Sequence, residues 1–198
     1  MKLAKICWSL GSVLVNVTIG IYIYLQSNGP ANLPDRFRYI NDHWAMYAGH
    51  WKAEFLIMTL VLIGAMYFAI YFKSISWTIL SIGQLIILPT YPIMLGGYEN
   101  TPPELATMAN QMATLAFIFG NLIFCGGLFH LYFNDKILKP KWRYAALVLS
   151  GIMTIAFGLI FIGFTTWKQT MVIAPLVNVL YLINAYAGWK LKETTEGH

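Results

Sequence analysis

Charge is what this chain has least of. Asp, Glu, Lys and Arg make up 11% of its 198 residues and hydrophobic residues 58%, with a mean hydropathy of +0.61; an ordinary soluble domain is about 25% charged and about 45–50% apolar. One soluble core of this size cannot bury that much apolar surface, whereas a chain that uses lipid as solvent has no need to. The composition therefore reads as an integral membrane protein, with the bilayer as its first partner. Cysteine is scarce as well: Cys7 and Cys125 both sit inside apolar runs. That excludes a disulfide framework, and without a basic neighbour neither is set up as a thiolate, so both read as small hydrophobes. The formal charge of +5 lies in loops and forms no basic tract interleaved with aromatics, which argues against a nucleic-acid partner. There is no GxSxG, no phosphate-cradling glycine loop, no CxxC, no HExxH and no Ser/His/Asp set. Enzyme is thus the minority reading, and no cofactor is expected.

What is there is a series of apolar runs. Crossing about 30 Å of hydrocarbon takes about 20 helical residues, and six runs qualify, near 5–25, 51–72, 76–95, 106–133, 144–164 and 171–189. The expected fold class is an all-α, six-helix transmembrane bundle forming one domain over 1–198. Lys2 and Lys5 precede the first run, but no small-x-small cleavage site follows it, so it reads as a span and not as a signal peptide. The weakest boundary is KSIS, yet 51–95 is too long for one crossing.

Basic residues set the orientation. With the N-terminus inside, Lys2, Lys5, Lys73, Lys136, Lys139, Lys141, Arg143, Lys190 and Lys192 are cytoplasmic, against Arg36, Arg38, Lys52 and Lys168 outside. Nine against four places both termini in the cytoplasm. Two outer segments look like more than connectors. In NTPPELATMANQ, Thr101 and Glu104 are spaced as a capping box with Pro102 in the first turn. Phe37, Ile40, Trp44, Tyr47 and Trp51 form an apolar stripe opposite Arg38 and Asp42, which makes 34–48 an amphipathic segment between the first two spans, with Gly49 as its bend.

Helices in lipid associate by close approach and interhelical hydrogen bonds, so small residues mark contact faces. Ala106, Ala109, Ala113, Ala116, Gly120 and Gly127 share one side of the fourth span and place it at the centre. Shorter stripes are Ser150, Thr154 and Gly158 on the fifth, and Ser9, Ser12, Asn16 and Gly20 on the first. No Asp, Glu, Lys or Arg is expected at mid-depth, where proton relays and ion paths keep such residues despite their cost. The neutral polar residues there, Asn16, Gln84, Asn121, Asn178 and Asn184, either bond helix to helix or, for Asn16, Gln84, Asn121 and Asn178, line a ligand cavity. Pro89, Pro92 and Pro175 kink the third and sixth spans. Their positions do not match between the two halves of the chain, which speaks against an inverted-repeat transporter.

The stretch NDHWAMYAGHWKAE, residues 41–54, concentrates the remaining chemistry. At 100° per residue His43, Tyr47, His50 and Glu54 fall within about 60° of one another. His43 and His50 lie about 10 Å apart along the axis, too far to share a metal whose ligands stand about 2 Å away. His50 and Glu54, one turn apart, are spaced to chelate or to exchange a proton, with Glu99 or Glu104 as a third group. The competing reading makes Trp44, Tyr47 and Trp51 an aromatic belt and leaves His43, His50, Lys52 and Glu54 in water and headgroups. His130, beside Tyr132, reads as an interfacial residue.

The run GNLIFCGGLFHLYFNDKILKPKWRYAALVLSGIMTIAFG, with Pro140 and Trp142 in its basic loop, resembles six-helix bacterial inner-membrane proteins known only as a domain of unknown function. RFRYINDHWAMYAGHWKAEFLIMTLVLIGAMYFA fits the same pattern. The resemblance implies architecture and a bacterial plasma membrane, and no activity. Three functions follow as expectations: binding or transport of a small apolar or weakly polar molecule in the amide-lined cavity; an enzyme or metal site at the outer face using His50, Glu54 and Glu104; or an accessory subunit that pairs with itself or with another membrane protein.

Overall fold

The structure is a computed structural model describing residues 1–166, 169 and 174–191; among them there are helices and no strand. The helices are α1 (Lys2–Asn28), α2 (Leu33–Asp42), α3 (Trp44–Phe72), α4 (Ile75–Ile87), α5 (Thr90–Tyr98), α6 (Pro103–Asn134), α7 (Pro140–Phe161) and α8 (Ala174–Lys190). Five runs are long and apolar enough to cross a bilayer: α1, α3, α4 with α5, α6 and α7. The described part of the expected sixth span is the 17-residue α8, about 26 Å long; positions 171–173, Lys168 and Lys192 lie outside the described residues.

Two local expectations are corrected. The chain bends at His43, not at Gly49. His43 takes φ −116° and ψ 28°, and its N–H bonds the carbonyls that close α2; its ring packs on Tyr39 at 4.2 Å, with Nδ1 2.9 Å from the Tyr39 carbonyl. Gly49 stays inside α3 because Ala48 and His50 on either side are buried, and a glycine permits a bend without requiring one. The capping box does not form either. α6 starts one residue later than Thr101 could cap it, with Pro102 at the N-cap, and the Thr101 hydroxyl instead donates to the Glu99 carbonyl at 3.1 Å. The third run bends where Pro89 and Pro92 are expected to kink it, and divides there into two helices. Pro89 and Pro92 carry no N–H, so the carbonyls of Leu85 and Leu88 lose their helical donors; Leu88 accepts from Tyr91 at 3.3 Å instead, and α5 resumes beyond the break.

The long helices close a ring: α1 packs on α3, α3 on α4, α4 on α6, α6 on α7, α7 on α8 and α8 on α1. Neighbours run antiparallel, as Trp8 against Gly64 and Tyr22 against His50 show for α1 and α3. The ring therefore has a basic end, with Lys2, Lys5, Lys73, Lys136, Lys139, Lys141, Arg143 and Lys190, and an α2 end. At the basic end Arg143 donates to the carbonyls of Tyr132 and Phe133, a cation on the last turn of α6 where the helix dipole favours it.

Close approach holds the ring together, since lipid tails solvate an apolar helix as well as another helix does. The small face of α6 is buried at Ala106, Ala109, Ala113, Gly120 and Gly127 and receives α4 and α5. A Cβ at Gly83 would sit 2.6 Å from the Phe124 backbone nitrogen, and one at Gly120 would sit 2.9 Å from the Gly83 carbonyl, so neither position admits a side chain unless the helices part. On α1, Ser9 donates to the Ala185 carbonyl and Ser12 is buried, while Gly20 meets nothing within 4 Å.

Candidate functional site

The two ends of the ring are filled differently. Towards the basic end Trp8, with no exposed surface, stacks edge-on against Trp77 at 4.8 Å and lies 6.3 Å from Phe124. Its indole N–H donates to the Asn184 carbonyl at 2.8 Å, and Tyr132 donates to the Asn184 amide oxygen at 2.6 Å. The polar groups of Trp8 and Tyr132 are thus bonded, while the Asn184 amide nitrogen completes no hydrogen bond among the described residues. Towards the α2 end the helices surround a partly open cavity of about 360 Å³, within the size of small-molecule sites.

Every long helix except α4 contributes to its wall. α1 brings Val15, Ile19 and Tyr22; α3 brings Trp51, Glu54 and Met58; α5 brings Thr90, Tyr91 and Tyr98; α6 brings Asn110, Ala113 and Asn121; α7 brings Ala156 and Phe157; α8 brings Val177 and Tyr181. Leu33, Arg36, Phe37 and Ile40 of α2 close over it. Two contacts pin that cover: Asn41 donates to the Tyr98 carbonyl at 3.0 Å and accepts from the Asn100 N–H at 2.8 Å. Phe37 also packs on Tyr98 at 5.2 Å.

Glu54 is the acid in this cavity. It stands 10 residues into α3, about 15 Å from the helix start, with a side chain 13% exposed. Its Oε2 is 3.5 Å from His50 Nε2, and it lies within electrostatic reach of the Tyr91 and Tyr181 phenols, with the Thr18 hydroxyl beside it. The His50 ring is 2% exposed and stacks over Tyr22 at 6.4 Å, yet neither of its nitrogens completes a hydrogen bond among the described residues. The hydroxyls of Thr90 and Tyr91, both buried on the cavity wall, complete none either. Buried polar atoms are nearly always bonded, so a wall carrying several unbonded ones is suited to a guest that bonds them.

The residues singled out from sequence disperse. Tyr47, His50 and Glu54 share one face of α3, and that face turns into the ring and not out to headgroups, whereas His43 lies at the bend before α3 with its ring on Tyr39. Tyr47 and Trp51, read as belt residues, are each 4% exposed, and Tyr47 donates to the Leu25 carbonyl at 3.1 Å. Only His43 and Lys52 of that group are exposed. The rim reading of Glu54 is corrected: its side chain faces the cavity, since an i, i+4 pattern tells which residues face together, not what they face. Glu104 is exposed in the first turn of α6 and is no part of the wall, and among the described residues no third His, Cys, Asp or Glu joins His50 and Glu54. Of the four amides, Asn121 lines the cavity, its Nδ2 donating to the Phe117 carbonyl at 2.8 Å. Asn16 is spent on the Ser12 carbonyl of its own helix at 3.0 Å. Gln84, fully buried, lies beside Tyr181 without a completed hydrogen bond, and Asn178 is half-buried on α8; neither belongs to the wall. His130 Nδ1 meets the Ser76 hydroxyl at 2.8 Å, tying α6 to α4.

Sequence reasoning missed Thr90, Tyr91, Asn110 and Arg36. The one available signal was the pair Pro89 and Pro92, which bracket Thr90 and Tyr91 at a broken helix, where backbone irregularity is tolerated against a cavity. Comparison with known proteins finds no family model, no curated protein and no solved structure that matches this chain.

Proposed function

We propose that this chain is a six-span bacterial inner-membrane protein, with both ends in the cytoplasm, that binds a small, mainly apolar molecule in the cavity of the ring, for storage, sensing or passage across the α2 side. The observation that carries the reading is the partly open cavity of about 360 Å³, walled largely by apolar side chains with a few convergent polar groups, Glu54, Tyr91, Asn110 and Asn121. That combination is the usual make-up of a ligand site. The clustering of basic residues at one end supports cytoplasmic termini, and α8 supports a sixth crossing. Native mass spectrometry of protein released from nanodiscs tests the binding: wild type is expected to carry a small molecule that Ala156→Leu, which extends a side chain into the space, loses. Equal loading of both proteins, or none in either, refutes the reading. Reporter fusions at the two ends test the topology, and opposite locations refute it.

A second reading, an enzyme using His50 and Glu54 as an acid–base pair, draws support from their 3.5 Å approach on the cavity side. It requires that His50→Ala keep the bound molecule and abolish its conversion.

A further inference from the structure

We infer that the molecule held in the cavity carries a positively charged nitrogen, an ammonium group seated against the Glu54 carboxylate with its apolar body between the aromatic walls. The inference rests on the ligand-binding reading above and specifies its chemistry.

The argument begins with charge balance. Among the described residues the oppositely chargeable contacts are Arg38 with Asp35, on the surface, and His50 with Glu54, which is an ion pair only when the imidazole is protonated. The second is 3.5 Å long and completes no hydrogen bond at either imidazole nitrogen. Arg36 is the only Lys or Arg on the described wall, and it is committed elsewhere: Nη1 donates to the Gln26 side-chain oxygen at 2.6 Å and Nε to the Pro30 carbonyl at 2.9 Å. A carboxylate removed from water in apolar surroundings is stable when a cation balances it and donors satisfy its oxygens. No lysine or arginine of the described structure does so for Glu54, and an incoming ammonium does both. The walls favour the same guest. Tyr22, Trp51, Tyr91 and Tyr98 bring four rings to the cavity, and ring faces attract a desolvated cation. A neutral hydroxyl can donate a hydrogen bond to Glu54 but brings no charge to balance it, and an anion is repelled by it.

An ammonium group can belong to a free lipophilic amine or to the amino headgroup of a lipid, and one experiment covers both. The full chain is placed in nanodiscs of phosphatidylglycerol, which has no amine, and titrated calorimetrically with 4-phenylbutylamine and with its neutral counterpart 4-phenylbutanol. The amine is expected to bind about 10- to 100-fold more tightly, the difference made by a hydrogen bond between charged partners, and Glu54→Gln is expected to reduce that preference to about one. Equal binding of amine and alcohol to wild type overturns the inference and leaves the cavity reading standing; binding of neither overturns both. An undiminished preference in Glu54→Gln also overturns it, and if that variant does not fold, the wild-type comparison decides alone. Repeating the titration with phosphatidylethanolamine in the nanodisc assigns the source: an amine affinity weakened about tenfold marks the lipid headgroup as the occupant, an unchanged affinity a free amine.

Discussion

The basic half of the ring and its α2 half use the same helices and the same antiparallel contacts, but one is packed with large rings and the other surrounds a cavity. At the basic end Trp8, Trp77, Phe124 and Tyr132 are each at most 1% exposed, and glycines let the backbones touch. At the α2 end the wall residues are a mixture of rings, alanines and small polar groups, and a short helix lies across the top. What separates the halves is side-chain volume. Large rings fill the basic end, whereas Ala113, Ala156 and Thr90 leave room on the wall at the other.

That contrast can be broken, beginning with the change expected to cost most. Trp8→Ala should destabilise the protein by about 3 kcal/mol or more, because lipid compensates for lost apolar burial but not for the void or for the lost Asn184 hydrogen bond; thermal unfolding in detergent measures it. A shift no larger than that of a lipid-facing substitution such as Val17→Ala would show that the plug is not what secures this end. Next comes Gly83→Val, expected to cost about 1–3 kcal/mol because the atoms in its way are the backbone of Phe124 and Gly120. Its signature is a loosened α4–α6 contact, read from slower cross-linking between cysteines introduced on the lipid side of the two helices.

Asn41→Ala removes both bonds that hold α2 to the end of α5, at about 1–2 kcal/mol. The effect should be local: hydrogen exchange rises in α2 and stays unchanged at Trp8 and Asn184, and exchange rising through both halves would mean that the cover and the plug are one cooperative unit. Smallest is Ala156→Leu. Added atoms fill existing space, so stability should stay within about 0.5 kcal/mol of wild type, while any bound molecule is lost. If Ala156→Leu destabilised the protein as much as Gly83→Val does, the two halves would be equally packed and the comparison would fail.

Much of this was legible one residue at a time. The periodicity of Ala106, Ala109, Ala113 and Gly120 identified the central face of α6, because in lipid only small side chains allow close approach. Tyr47, His50 and Glu54 were legible as one face because helical geometry is local. Pro89 and Pro92 marked the break. The direction in which that face looks was not legible, since Glu54 on the rim of a bundle and Glu54 inside a ring have the same sequence neighbours. Nor was the choice among the amides: Asn16 and Asn121 both donate to the carbonyl four residues back on their own helix, yet only Asn121 lies on the wall, which depends on which helix stands opposite.

By itself the sequence determined that the chain is helical, that its long helices suit lipid, and which end of the bundle is basic, because each of these depends on properties summed along a single segment. The tertiary structure alone decided that the helices close into a ring, that Trp8 meets Asn184 across 176 positions, and that an acid faces a cavity. Those outcomes depend on how far apart two helices stand, and that distance is set jointly by side chains that no single stretch of the chain contains.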